Sequence, residues 1–92
     1  MIRLNVFIHT TNPDNRQALI NAAVKLEEYS RNDAGVVSYE AFSALTSDTC
    51  LFICETWQDE TSLANHMETE HFRSLVGEME KLGTLTLEKF TF

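Results

Sequence analysis

The side chains best suited to chemistry in this chain cluster between residues 55 and 72. His66 shares a predicted helix face with Leu63 and Met67, so its imidazole should point towards the protein interior. An imidazole titrates near neutral pH and can accept and return a proton there. We predict that His66 is the catalytic base or a hydrogen-bond partner of the substrate. The alternative is a structural histidine that is bonded to Glu55 or to a backbone carbonyl group.

Glu55 and Trp57 lie at the end of the apolar segment that precedes this helix. A carboxyl group in an apolar strand needs a donor nearby, so Glu55 should be paired and is a candidate for raising the basicity of His66. Trp57 either packs in the core or stacks on a flat ligand, because the indole is large and has one polar N–H group. Both residues are therefore candidates for a site around His66.

The usual sequence motifs of cofactor and metal sites are absent. There is no Gly-rich dinucleotide or phosphate loop and no C-x-x-C pair. His66 and His71 would point roughly 140° apart on a straight helix, so we predict that they do not bind one metal ion together. Cys50 and Cys54 would lie roughly 13 Å apart along a strand, too far for a disulfide bond. We expect no metal, no cofactor and reduced thiols, as is typical of a cytoplasmic protein.

Length and charge narrow the class of protein further. The chain has 92 residues, which predicts a single domain spanning residues 1–92. Seven Lys and Arg residues face 14 Asp and Glu residues, for a net charge of −7, which argues against nucleic acid and anionic membranes as partners. No apolar run approaches the roughly 18 residues of a membrane span, and the first residues lack a signal-peptide core.

The secondary structure that must position these residues follows from the spacing of apolar side chains. Alternation predicts strands, and a repeat of three to four residues predicts helices. Capping residues set the boundaries: Asn12 with Pro13 begins the first helix, Asp59 begins the second helical region, and Thr69 can cap a fresh turn after a break there. The predicted elements are strands at 2–8, 36–42, 49–57 and 84–92, a helix from 13 to about 30, and a helical region from 59 to Gly83.

This order of elements is that of a split βαβ, ferredoxin-like α+β fold, in which helices cover one face of a four-stranded antiparallel sheet. The other face would expose phenylalanine and other large side chains, more apolar area than a monomer usually presents. Phe90 and Phe92 stand at the C-terminus, where a chain frays unless it is docked. We infer a homodimer in which two sheets pack face to face; the alternative is a monomer with a solvated sheet.

One segment resembles the signature of a known family. The residues Glu55-x-Trp57-x-Asp59, then Leu63-x-x-His66, then Thr69-Glu70-His71-Phe72 are similar to those of the antibiotic biosynthesis monooxygenase superfamily, and of its small quinol-monooxygenase-like members. Gly35 before the second strand and Tyr39 within it also look like that family. The resemblance covers essentially the whole chain and implies a dimeric α+β barrel with one cavity per subunit.

The resemblance also implies an activity. Family members include small oxygenases that oxidise quinols or anthrones with dioxygen and without flavin, haem or metal. We expect a cofactor-independent monooxygenase that acts on a quinol-like or polycyclic phenolic molecule in an apolar pocket. Deprotonation makes a phenol a much better electron donor to dioxygen, so the protein need only bind it, remove a proton and exclude water. The substrate-binding residues that the resemblance implies are Asn5, Tyr39, Trp57, His71 and Phe72.

Other branches of the family define the alternatives. The haem-degrading branch carries a Trp on the second helix and a haem-ligating His further on, whereas this chain has His66 and Val76 at those places, so haem binding is not expected. Relatives that act on small signalling sugars suggest an isomerase of a sugar-derived ketone, which would need a base but no oxygen. A non-catalytic dimeric protein that binds a small molecule is the third hypothesis.

Overall fold

The computed structural model describes all residues from 1 to 92. The second helical region is divided into two helices at the break that Thr69 indicated, and the order of elements is as predicted. The strands are β1 (Ile2–His9), β2 (Val36–Ser43), β3 (Cys50–Trp57) and β4 (Thr84–Thr91), and the helices are α1 (Arg16–Ser30), α2 (Glu60–Met67) and α3 (Glu70–Leu82).

The four strands form one antiparallel sheet in the order β2-β3-β1-β4. Side chains alternate between its faces, so the residues that lie level across the strands share a face. Leu4, Glu55 and Tyr39 are level with one another and point to the helices. Asn5 is level with Cys54 and Glu88, one residue along, and lies on the opposite face. The ferredoxin-like α+β fold predicted from the sequence is confirmed.

The first helix begins later than its capping residues suggested. The Asn12 side chain accepts a hydrogen bond from the backbone N–H of Asp14 at 3.0 Å, as an N-cap does. Pro13 to Asn15 form a 3₁₀ turn, and regular α-helix begins only at Arg16. Because Pro13 has no N–H to donate, the tighter turn costs no hydrogen bond. The apolar face of α1 then packs on the sheet through Leu19, Ala22, Ala23 and Leu26.

The break predicted in the second helical region divides it into α2 and α3. Asp59 caps α2 by accepting a hydrogen bond from the backbone N–H of Ser62 at 2.8 Å. Thr69 caps α3: its Oγ1 accepts from the N–H of Phe72 at 3.2 Å and donates to the carbonyl oxygen of His66 at 2.6 Å. The chain changes direction at Thr69, so residues on either side no longer follow the rotation of one straight helix.

The loop between α1 and β2 is pressed against α2. Gly35 in this loop has φ +81°, and a Cβ atom there would come within 1.9 Å of Ser62 Oγ. Only glycine tolerates both that backbone conformation and that contact. The close approach brings Asp33, two residues earlier, next to the end of α2.

The face of the sheet away from the helices carries an aromatic cluster. The ring centroids of Phe7 and Phe52 are 5.1 Å apart, and those of Phe42 and Phe52 are 6.0 Å apart. Phe90 and Phe92 are 50% and 64% exposed. Cys50 and Cys54 are half-buried free thiols. No helix in the chain is both long and apolar enough to cross a bilayer.

Candidate active site

An apolar cavity of about 240 Å³ lies between the sheet and the helices. All four strands and all three helices contribute side chains to it, and Glu55 and Glu80 are the charged residues among them. Such a chamber excludes water from a bound molecule while a few polar groups orient it. The lining residues are Leu4, Val6, Leu26, Tyr39, Ile53, Glu55, Met67, Phe72, Val76, Met79, Glu80, Leu85 and Leu87.

Glu55 is the buried acid of this cavity, with only 4% of its surface exposed. Burial raises the pKa of its carboxyl group from 4.5 to about 7, although the Trp57 Nε1–H group, which donates a hydrogen bond to Oε1 at 2.9 Å, opposes the rise. Near neutral pH the carboxyl group is therefore present both as an acid and as a carboxylate. A group with that pKa can take a proton from a weakly acidic ligand and give it back.

Tyr39 lies beside Glu55, because the two residues are paired across β2 and β3. Burial and the negative charge of Glu55 both raise the pKa of Tyr39 above its usual range. Its side chain therefore stays a neutral phenol, whose O–H group is a donor next to the Glu55 carboxyl group. A donor next to a proton acceptor is the arrangement that can hold a ligand hydroxyl group while its proton is removed.

His66 is fully buried, as predicted, but its ring is not part of the cavity wall. Its ring centroid is 4.4 Å from Trp57, 5.2 Å from Phe72 and 5.7 Å from Tyr39. Phe72 and Tyr39 line the cavity, so the imidazole lies in the layer behind them.

The partner of His66 is Asp33, whose Oδ2 lies 2.7 Å from Nδ1, and not Glu55. Burial lowers the pKa of His66, while the hydrogen bond to Asp33 acts in the other direction. A neutral imidazole that donates from Nδ1 carries its lone pair on Nε2, and this buried atom has no hydrogen-bond partner. Of the two roles considered for Glu55, it is paired with a nearby donor, Trp57 Nε1–H, and it makes no hydrogen bond with His66.

His71 converges on the same carboxylate, contrary to the expectation that it points away from His66. Its Nε2 lies 2.8 Å from Asp33 Oδ2, and its ring stacks on Tyr29 with a centroid distance of 5.6 Å. The sequence argument assumed a straight helix, whereas the break at Thr69 turns the first residues of α3 back towards the loop. Nothing in the sequence singles out Asp33, which reaches both histidines only through the packing of its loop on α2.

The structure places the predicted site residues in four different surroundings. Glu55, Tyr39 and Phe72 share the cavity, and Trp57 and His66 form the buried layer that supports it. His71 lies at the half-exposed edge, outside the cavity. Asn5 is on the opposite face of the sheet, level with Cys54.

Comparisons with known proteins agree with this fold. Residues 1–78 match the family model of antibiotic biosynthesis monooxygenase. A solved structure from Bacteroides thetaiotaomicron VPI-5482, a conserved protein of unknown function described as a possible oxidoreductase, is 42% identical, with a TM-score of 0.95 and coverage of 99% of this chain and 96% of that one. A crystal structure described as an antibiotic biosynthesis monooxygenase shares the fold at 20% identity, with a TM-score of 0.90 and coverage of 100% and 98%.

Among curated proteins, the chain is similar to one from Bacillus subtilis (strain 168) that bears the name "Putative monooxygenase YcnE". The two are 28% identical over 88 residues, which is 96% of this chain and 92% of the relative. The family match covers most of the chain, including the strand and helices that carry Glu55, Trp57 and both histidines. By this match, the chain belongs to the antibiotic biosynthesis monooxygenase family.

Proposed function

We propose that this protein is a cofactor-independent monooxygenase that oxidises a small quinol-like molecule in the cavity between sheet and helices. The observation that carries the proposal is Glu55, a carboxyl group with a pKa of about 7 in an otherwise apolar chamber. Membership of the monooxygenase family supports the reaction class, and the absence of dinucleotide and phosphate-loop motifs supports a reaction carried by the substrate itself.

In the proposed reaction Glu55 accepts the proton of a substrate hydroxyl group, and the resulting phenolate transfers an electron to dioxygen. The two radicals combine at a ring carbon to give a peroxide, Glu55 returns its proton to the outer peroxide oxygen, and loss of water from this hydroperoxide leaves a hydroxylated quinone. One oxygen atom enters the product and the other leaves as water, which carries away the two substrate hydrogens lost from the quinol. The apolar walls favour this path because they keep water from the radical pair.

Residues near Glu55 orient the substrate in the proposed reaction. The Tyr39 hydroxyl group donates a hydrogen bond to the substrate oxygen, and the Phe72 ring and Met67 thioether contact its flat faces. Trp57 holds the carboxyl group in place through its Nε1–H. Proton transfer to His66 stays a prediction: its Nε2 lone pair is buried behind Tyr39 and Phe72, so Glu55 has the more direct access.

Cavity size favours the smaller substrates among those predicted. A volume of about 240 Å³ is below the range of about 300–1,000 Å³ that is usual for drug-sized ligands. A one- or two-ring quinol suits such a chamber better than a polycyclic phenol. We therefore expect turnover of menadiol, which has two rings, to exceed turnover of anthrone, which has three.

The test is protein-dependent oxygen uptake with menadiol, after subtraction of autoxidation measured without protein. Glu55→Gln keeps the shape and the acceptor for Trp57 but cannot accept the proton, so we expect kcat/KM to fall about 100-fold or more. The matched control is Glu80→Gln, which alters the exposed acid of the same cavity and should retain activity near that of the unmodified protein.

A second variant separates the two candidate bases. If His66→Asn abolishes turnover while Glu55→Gln leaves it unchanged, the base is His66 and the role given to Glu55 is wrong. If the protein adds no oxygen uptake with menadiol or anthrone, the oxygenase proposal itself fails.

Proton-transfer isomerisation is the second candidate, since a carboxyl group with a pKa of about 7 next to a phenol donor also suits removal of a proton beside a ketone. This reaction needs no dioxygen. Turnover of a small sugar-derived ketone at the same rate in anaerobic buffer would select it. Saturable binding without turnover would instead select the non-catalytic hypothesis.

We propose further that the protein is a homodimer in which two sheets meet through their aromatic faces. Phe7, Phe42 and Phe52 form a contiguous apolar cluster there, and no element of the chain covers it. Phe90 and Phe92 are exposed as well, at the C-terminal end of β4 and just after it. Burying such a patch against its own copy removes apolar surface from water on both sides.

A further inference from the structure

Outside the cavity, three side chains of the kinds that bind metal ions converge at the junction of two helices and a loop. Asp33 comes from the loop between α1 and β2, His66 from the end of α2, and His71 from the first turn of α3. One potential ligand atom from each residue lies within 4.8 Å of the other two. His66 Nδ1 and His71 Nε2 are 2.7 and 2.8 Å from the same carboxylate oxygen, Asp33 Oδ2.

We propose that Asp33, His66 and His71 bind one divalent metal ion of the zinc class. Two imidazole nitrogens and one carboxylate oxygen are donors that suit zinc, and a given set of such donors binds zinc more tightly than iron(II) or manganese. Around a tetrahedral zinc ion the ligand atoms are about 3.3 Å apart, from metal–ligand distances of about 2.0 Å. The two separations from Asp33 Oδ2 would open by about 0.5–0.6 Å on binding, and the two imidazole nitrogens already lie within 4.8 Å of each other.

Access and charge are compatible with an ion at this place. The Asp33 and His71 side chains are 14% and 19% exposed, so the site is open at one edge while His66 closes it from inside. His71 also borders a surface groove that contains Glu70 and Glu78 together with Lys25. The net charge of −7 over the chain attracts cations to the surface.

One feature limits the affinity. When Nδ1 of His66 binds the ion, its ring hydrogen is on Nε2, and this buried atom has no acceptor. Metal-ligating histidines normally donate that hydrogen to a carboxylate or carbonyl group, and losing such a partner typically weakens binding about 10–100-fold. We therefore expect a site that exchanges its ion readily with chelators.

The expected consequence of binding is mechanical and not catalytic. The ion would tie the α1–β2 loop to the ends of α2 and α3, three segments that now meet through the two hydrogen bonds to Asp33. Asp33 and His71 do not line the cavity, so the proposal is independent of the oxidation proposed there. Binding of an ion to the folded chain alone should raise the midpoint of thermal unfolding.

The test uses the full-length chain after dialysis against a chelator and then against metal-free buffer. We expect calorimetric titration with ZnCl₂ to give one ion per chain, and CoCl₂ to give visible absorption bands of a low-coordinate site. Asp33→Asn and His71→Asn should each weaken zinc binding at least tenfold and remove the thermal shift. His9→Asn is the matched control, because His9 is an exposed histidine at the end of β1, outside the cluster.

The proposal is overturned if the chain binds no stoichiometric zinc, since Asp33 then only holds two imidazoles by hydrogen bonds. It is equally overturned if His9→Asn weakens binding as much as His71→Asn does. Circular dichroism of each variant shows whether the fold is retained, and His71, at the edge of α3, is the safer substitution. Oxygen uptake is not used as a readout here. A failure to bind zinc therefore does not affect the oxygenase proposal, and a failure of the oxygenase proposal does not affect the zinc proposal.

Discussion

At the scale of single residues, the acid in the cavity is the group whose properties the fold changes most. Glu55 accepts a hydrogen bond from Trp57 Nε1–H, two residues further along the same strand. Pairing of β2 with β3 places Tyr39 beside it. Burial disfavours its charged form, and the hydrogen bonds from Trp57 and Tyr39 compensate only in part, so its pKa rises to about 7. The same group therefore links the chemistry of the cavity to the stability of the fold.

The first prediction concerns stability and pH. The folded chain binds a proton on Glu55 up to pH about 7, whereas the unfolded chain loses it near pH 4.5, so the free energy of unfolding falls as pH rises between these values. The full difference is about 3 kcal/mol. Glu55→Gln removes this loss, so urea unfolding should show the variant to be more stable than the unmodified protein at pH 8 and similar at pH 4. A variant less stable at pH 8 would contradict the raised pKa.

The second prediction concerns activity and pH. Only the carboxylate form of Glu55 accepts a proton, so kcat/KM for menadiol should rise with pH and level off above about 7. Glu80→Gln should show the same rise of kcat/KM with pH, since Glu80 is exposed. Stopped measurements of initial rate from pH 5 to pH 9 at constant ionic strength give the profile. A rate that is flat through pH 7 would assign the proton transfer to another group.

At the scale of elements, the break between α2 and α3 and the close contact of the α1–β2 loop decide which polar groups meet. Thr69 ends one helix and caps the next through its two hydrogen bonds. Gly35 lets the loop approach Ser62 more closely than any side chain would allow. Together these two features place Asp33 between His66 and His71, a contact that neither the helices nor the loop would make in another arrangement.

The third prediction tests the contact between the α1–β2 loop and α2 with alanine substitutions at two glycines. Gly35→Ala should destabilise the fold by about 1–3 kcal/mol, because φ of +81° is strained for alanine and its Cβ would lie 1.9 Å from Ser62 Oγ. Gly77→Ala is the control: it lies in α3 with nothing within 4 Å of the added Cβ, and alanine there should stabilise by up to about 1 kcal/mol. Equal effects in urea unfolding would show that the loop does not depend on glycine.

At the scale of the whole molecule, the helices cover one face of the sheet and leave the aromatic cluster on the other face uncovered. The cavity occupies the covered side, and the cluster of Phe7, Phe42 and Phe52 occupies the other. A small domain has a low free energy of unfolding. An uncovered aromatic face is unfavourable in water, but it stabilises the molecule once it packs against a second copy of the sheet. The proposed dimer and the proposed pocket are thus consequences of the same sheet.

The fourth prediction concerns this face. Phe52→Glu should place a charge at the centre of the aromatic cluster and convert the dimer to a monomer, because a buried unpaired carboxylate is strongly unfavourable in an interface. Light scattering coupled to size exclusion at micromolar concentration measures the mass. Leu45→Glu, at a fully exposed position in the turn between β2 and β3, should leave the mass unchanged. A monomeric unmodified protein would refute the dimer outright.

The sequence by itself determined the order of the elements, the capping residues Asn12, Asp59 and Thr69, and the family. These depend on local spacing and hydrogen bonding, which act over a few residues of chain. It also indicated that His66 is buried and that Glu55 is paired, since both lie on apolar faces. It did not identify the partners of these groups, because Asp33 is distant from His66 and His71 along the chain and meets them only in the packed molecule.

Only the tertiary structure decided which candidate residues share a chamber. Strand alternation put Asn5 on the face away from the helices and Glu55 on the face towards them, and the register of β1, β3 and β2 set Tyr39 beside Glu55. The pKa of Glu55 is likewise a property of burial, which depends on every element around the cavity. Local sequence selects the elements, but solvation and side-chain partners are set by contacts between residues far apart in the chain.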